Sequence, residues 1–152
     1  MNASLTRRVA GAAVAVALAL PVVVTGQAQA SAWPNDTWDV TDKFAAGVSV
    51  GAITWGNRTS NLRGYVEDFG GVNSTTVVFT AYAGATKVDS DTRTASPGEN
   101  VPFNFPIGDP DKVGGFDRLK IQVCQSQNPE QTCNPGVNVT RDAIPEREVW
   151  RP

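Results

Sequence analysis

From about Val48 to Thr140 the chain alternates apolar and polar residues with period two, and Gly, Pro, Asn and Asp cut that alternation at intervals of about 8 to 15 residues. Side chains spaced this way line opposite faces of a strand, and past residue 30 no segment sustains the 3.6-residue period of a helix. The pattern therefore predicts an all-β fold of about seven short strands: Val48–Trp55, Leu62–Glu67, Thr75–Ala83, Lys87–Thr94, Val101–Pro106, Leu119–Val123 and Cys133–Thr140. That number of strands in about a hundred residues suggests an antiparallel two-sheet sandwich of immunoglobulin-like size, with a barrel as the alternative.

Individual strands carry positional signals. Thr75–Ala83 is apolar on both sides and reads as central. Lys87, Asp89, Asp91 and Arg93 share one side of their strand, which suits a solvent-facing or edge position. Pro102 and Pro106 lack N–H donors and assign their strand to an edge.

Ahead of this body, Arg7 and Arg8 precede the apolar run Val9–Val24, and Ala28-Gln29-Ala30 closes it with small side chains. Residues 1–30 read as a secretion signal peptide, too short in its apolar stretch for a lasting membrane span, so no membrane association is expected after cleavage. The domain reading is then a signal at 1–30, an extended N-terminal arm at 31–45, a sandwich at 46–142 and a C-terminal tail at 143–152. Cys124 and Cys133 both fall in the exported part, and in an oxidising compartment they are expected to form a structural disulfide. A redox pair is the competing reading, but eight intervening residues depart from the C-x-x-C spacing that lowers a thiol pKa.

Charge and composition narrow the function. Without Arg7 and Arg8, 11 Lys and Arg face 15 Asp and Glu, which argues against a phosphate-neutralising surface and hence against nucleic acid as a partner. No histidine is present, so Ser-His-Asp and Cys-His catalysis in their usual forms, His-ligated zinc and imidazole pH switches are excluded. Asp109, Asp111, Gly114 and Asp117 partly follow a calcium-loop spacing, but Val113 and Lys120 stand where ligands are needed, and a turn explains the stretch. Glu67-Asp68 and Asp89/Asp91 have the separation of glycosidase carboxylates without a visible cleft. The segment Gln125–Thr132, closed by the disulfide, is a candidate inhibitor loop or a plain hairpin connection. Asn35, Asn57, Asn73 and Asn138 head Asn-x-Thr triplets and are read as turn residues. No cofactor, metal or catalytic residue is expected.

The remaining candidates are aromatic. Trp55 ends an apolar strand and is expected in the core. Trp33, Trp38, Phe44 and Trp150 lie in the two flanks, which are either arms folded back as caps or anchors offered to a partner. A sugar platform built from the same rings is the alternative.

Trp55-Gly56-Asn57-Arg58-Thr59, Val88-Asp89-Ser90-Asp91-Thr92-Arg93-Thr94, Phe103-Asn104-Phe105 and Gly115-Phe116-Asp117-Arg118, followed by Ile121-Gln122-Val123-Cys124, resemble the adaptor subunits of umbrella toxin particles of filamentous actinobacteria. The resemblance covers Trp55 to Cys133. It implies a non-enzymatic extracellular linker between a lectin subunit and a repeat-containing toxin stalk, its N-terminal arm inserted into the stalk through Trp33 and Trp38. The α-amylase inhibitors and subtilisin inhibitors of similar bacteria differ in carrying two disulfides. The resulting expectation is a secreted, non-catalytic protein-binding module. A carbohydrate-binding module is the alternative, and a secreted hydrolase inhibitor comes third.

Overall fold

The structure, a computed structural model, describes residues 33–127 and 130–142. Among these residues there is no helix. Nine strands form two antiparallel sheets: β1 (Asp36–Thr41), β2 (Gly47–Thr54), β3 (Thr59–Asp68), β4 (Thr75–Ala83), β5 (Thr86–Ala95), β6 (Asn100–Gly108), β7 (Arg118–Gln127), β8 (Glu130–Cys133) and β9 (Val137–Thr140). The first sheet has the order β1-β2-β3-β6. The second runs β5-β4-β7-β8, with β9 also paired to β7. Their inner faces pack as a sandwich over one core.

The edge and centre assignments hold. β4 lies between β5 and β7, while β5 and the proline-bearing β6 are edges. The β5 and β6 edges close on each other: the Arg93 guanidinium lies 3.8 Å above the Phe105 ring, and an Asp89 carboxylate oxygen accepts the Gly108 N–H at 2.8 Å. Asp89, Asp91 and Arg93 stand opposite the core residues Ala81, Phe79 and Val77, so the charged side of β5 is its inner side at an open edge, where it joins the two sheets. Ser90, Thr92 and Thr94 are the exposed, outward positions, which corrects the solvent-facing reading of that side.

The strand count is nine rather than seven for two reasons. The segment Cys133–Thr140 divides at Asn134–Gly136 into β8, opposite Cys124–Gln127, and β9, opposite Arg118–Ile121. The second reason corrects the expected arm: β1 lies inside residues 31–45 and pairs with β2 over its whole length. Trp38 and Val40 point inward while Thr37, Asp39 and Thr41 face solvent. Three aspartates in a short segment obscured that alternation.

Trp38 sits in a trough cut by glycines. The register aligns Trp38, Gly51, Gly64 and Phe103 across four strands. At Gly51 a Cβ would strike the Trp38 ring, and at Gly64 it would strike the backbone of Val50 and Gly51. Two missing side chains in one row let the indole lie flat, stacked with Phe103 at 6.3 Å and an interplanar angle of 3°. Phe79, from the opposite sheet, meets both rings edge-on at 5.6 and 5.4 Å. The indole N–H donates to Ser49 Oγ, so the buried ring leaves no polar group unpaired.

The disulfide joins Cys124 to Cys133 as directly opposed residues of β7 and β8. Closing a loop of about ten residues contributes about 2.7 kcal/mol by removing freedom from the unfolded chain. Next to it, Asn134 ties β7 to β1: its Oδ1 accepts from Val123 N–H and its Nδ2 donates to Thr41 O.

Gly51→Ala should force the Trp38 ring off its seat and destabilise the fold by about 1–3 kcal/mol. Urea unfolding followed by tryptophan fluorescence measures this; a midpoint equal to wild type would mean that the trough is not needed.

Candidate functional site

One end of the sandwich combines buried polar chemistry with exposed apolar side chains. Three connections meet there: β1–β2 (42–46), β3–β4 (69–74) and β5–β6 (96–99). They are fastened by backbone bonds from Phe69 N–H to Ala46 O, Asp68 N–H to Glu99 O and Ser126 N–H to Ser74 O.

Under these loops lies a hydrogen-bonded chain of four side chains. The Gln125 amide of β7 donates to Asp42 Oδ2 at 3.0 Å and to Thr75 Oγ1 at 2.6 Å, and the Thr75 hydroxyl donates in turn to Asp68 Oδ2 at 2.7 Å. All four are buried. Each carboxylate also holds loop backbone. Asp42 accepts from the N–H groups of Phe44 and Ala46, and Asp68 from those of Gly70 and Gly98. Gly47 is required beside the chain, because a Cβ there would collide with the Thr75 side chain.

Burial pushes the Asp68 carboxyl upward. The bonds from Thr75, Gly70, Gly98 and Gln125 together outweigh burial and hold it below the ordinary aspartate range. A carboxyl depressed in the folded state contributes stability that is present above its unfolded value, near about pH 4, and is lost as pH falls through the folded value.

Above this base, Phe44 is 50 % exposed, Phe69 57 % and Val72 94 %. Ala45, beside Phe44, has φ of 54°, the left-handed region that a residue with a Cβ enters at a cost of about 1 kcal/mol. The Asp42 carboxylate, bonded on both sides of Ala45, holds that conformation. Phe44 and Phe69 therefore project from fastened backbone, which lowers the ordering cost of burying them against something else.

The flank aromatics separate. Phe44 is at this exposed end. Trp38 is 4 % exposed and fully used in the core, so its expected role as a partner contact is withdrawn. Trp33 packs against the core at the opposite end with the Arg141 guanidinium 4.3 Å above its ring; Arg141 in turn donates to the carbonyls of Gly56 and Gly114. Trp150 and the rest of the tail 143–152 lie outside the described residues, as does the leader 1–30. Trp55 is buried, its indole N–H donating to Asp36 Oδ2 at 2.6 Å.

The carboxylates Glu67-Asp68 and Asp89/Asp91, weighed as a glycosidase pair, are each engaged in the fold. Asp68 points inward and Glu67 outward to Asn100; Asp91 binds Arg93, which lowers its pKa. In the candidate inhibitor loop Gln125 is buried, and Gln125–Gln127 pair with Glu130–Thr132 as strands β7 and β8. Residues 109–117 form a turn, with Lys112 N–H bonded to Asp109 O. Among the described residues no group of His, Cys, Asp and Glu has the arrangement of a metal site, and no helix is long and apolar enough to cross a membrane.

The Asp42–Gln125–Thr75–Asp68 chain escaped the sequence reading. Its members are up to 83 residues apart, and only the spacing of Asp68 before Gly70-Gly71 hinted at a capped loop. No family model, curated protein or solved structure matches this chain.

Asp68→Asn should cost about 1–3 kcal/mol at neutral pH, since an amide cannot accept from Thr75 and the glycine N–H groups together. It should also flatten the loss of stability as pH falls below about pH 4. Thermal midpoints of both proteins across that range test this; parallel curves would remove Asp68 from the acid response.

Proposed function

We propose that this chain is a secreted, non-catalytic protein-binding module that docks through the loop end carrying Phe44, Phe69 and Val72. The observation behind this reading is the exposure of those three apolar side chains on backbone fastened from below by buried hydrogen bonds. Exposed apolar groups on a rigid base suit a partner with complementary apolar pockets, the usual arrangement of interface anchors. The disulfide is compatible with an oxidising, extracellular compartment. The carboxylates considered for catalysis are engaged in bonds that hold the fold.

The finer form of the proposal is an adaptor that links a lectin subunit to a toxin stalk in an extracellular antibacterial complex. An adaptor needs two separate surfaces. The strands, about eight residues long, set the Phe44/Phe69 end about 26 Å from the Trp33/Arg141 end. Trp38, sealed in the core, takes no part. The contact that the resemblance implies for the arm passes to Phe44 and, at the far end, to the exposed edge of Trp33.

Phe44→Ser combined with Phe69→Ser should lower the thermal midpoint only modestly, because about half of each side chain is already exposed. The double variant should weaken a stoichiometric complex, recovered from culture medium and sized by gel filtration, by at least about tenfold. Equal recovery by wild type and variant would rule out this end as the docking surface.

A further inference from the structure

The outer face of the β1-β2-β3-β6 sheet has a composition that water alone does not explain. Register places two outward rows side by side: Thr37, Ala52, Arg63 and Asn104 in one, Asp39, Val50, Tyr65 and Pro102 in the other. Small apolar side chains on β2 form a floor. Polar side chains of β1 form one wall, and Arg63 and Tyr65 of β3 form the other. The result is an open groove of about 510 Å³, and a second of about 700 Å³ continues across β3 to β6, sharing Arg63 and Tyr65.

We propose that this groove binds a neutral oligosaccharide, with Tyr65 as the stacking ring and Asp39 and Arg63 as hydrogen-bonding partners for its hydroxyls. Tyr65 is half-buried and Asp39 and Arg63 are exposed, yet none of the three side chains has a hydrogen bond or ion pair among the described residues. An aromatic ring, an acceptor and a forked donor around an apolar floor match a sugar's apolar ring face and its rim of hydroxyls.

Two features select the ligand class. β2 and β3 are both paired on each side, so the groove floor has no free main-chain groups for an extended peptide to join. Asp39 balances Arg63, and Glu67 is already bonded to Asn100, so the face holds no excess positive charge for an anionic polymer. Four strands span about 14 Å across the sheet, room for a short oligosaccharide and not for a single ring alone. This face is separate from the loop end above, and its function does not depend on what docks there.

The test is affinity electrophoresis of the folded protein in gels containing xylan, mixed-linkage β-glucan, a soluble neutral chitin derivative or anionic alginate, followed by titration calorimetry on any polymer that retards it. Retardation by at least one neutral polymer is expected. Tyr65→Ala and Arg63→Ala should each weaken it at least tenfold, and Phe69→Ser should leave it unchanged. Because Arg63 is exposed, its variant carries the test if Tyr65→Ala proves unstable. No retardation by any neutral polymer, retardation by alginate only, or undiminished binding in Arg63→Ala would overturn the proposal.

Discussion

The contact on which the rest of this molecule depends is the seating of Trp38 over two glycines. A β-strand normally keeps facing side chains apart by their own Cβ atoms, and removing two of them from one row opens a slot as wide as an indole. Filling the slot from β1 fastens that edge strand to the sheet, and contact with Phe79 carries the same ring to the opposite sheet. A strand that begins a domain frays unless something of this kind holds it. Here one side chain supplies the anchorage, and Asp36–Thr41 becomes part of the body instead of an arm.

The aromatic row explains cohesion but not the shape of the loop end, which is set by polar groups. Burying two carboxylates is unfavourable unless each is met by donors, and here the donors are loop amides, a threonine hydroxyl and a glutamine. Hydrophobic contacts would tolerate many loop conformations. A chain of directional bonds in which Gln125 donates twice and Thr75 both accepts and donates admits very few. The bonds spend stability on definition of shape, and definition is what exposed Phe44 and Phe69 need in order to present one surface.

The sandwich, the disulfide, the central place of Thr75–Ala83 and the edge positions of β5 and β6 were legible because each rests on local spacing or on proline chemistry. β1 carried the same alternation, with Trp38 and Val40 against Thr37, Asp39 and Thr41, but Asp36 at its start and Asp42 just past its end continue the inward side with charge and disguise it as a polar linker. Their burial makes sense only with distant partners in hand: Trp55 for Asp36 and Gln125 for Asp42. Inward polar residues at strand ends thus mimic loops in a sequence. The same long-range character hid the whole loop-end network; Phe44 stood out only as one aromatic of the supposed arm, and Phe69 and Val72, exposed beside it, carry no local spacing that marks them.

Division of labour follows from the same geometry. A sandwich spends its inner faces on cohesion, which leaves its ends and outer faces for recognition, and these two kinds of surface differ in what they can offer. Loop ends project side chains with free approach from several directions and suit deep apolar contact. A sheet face has its main chain fully paired and presents a regular grid of side chains, so it can recognise only a flat ligand that brings its own hydrogen-bonding groups. Phe44 and Phe69 stand at the first kind of surface, Tyr65 and Arg63 on the second. Substitutions in the two places should therefore act independently, because no strand residue that shapes the groove floor takes part in the bonds that hold the loops.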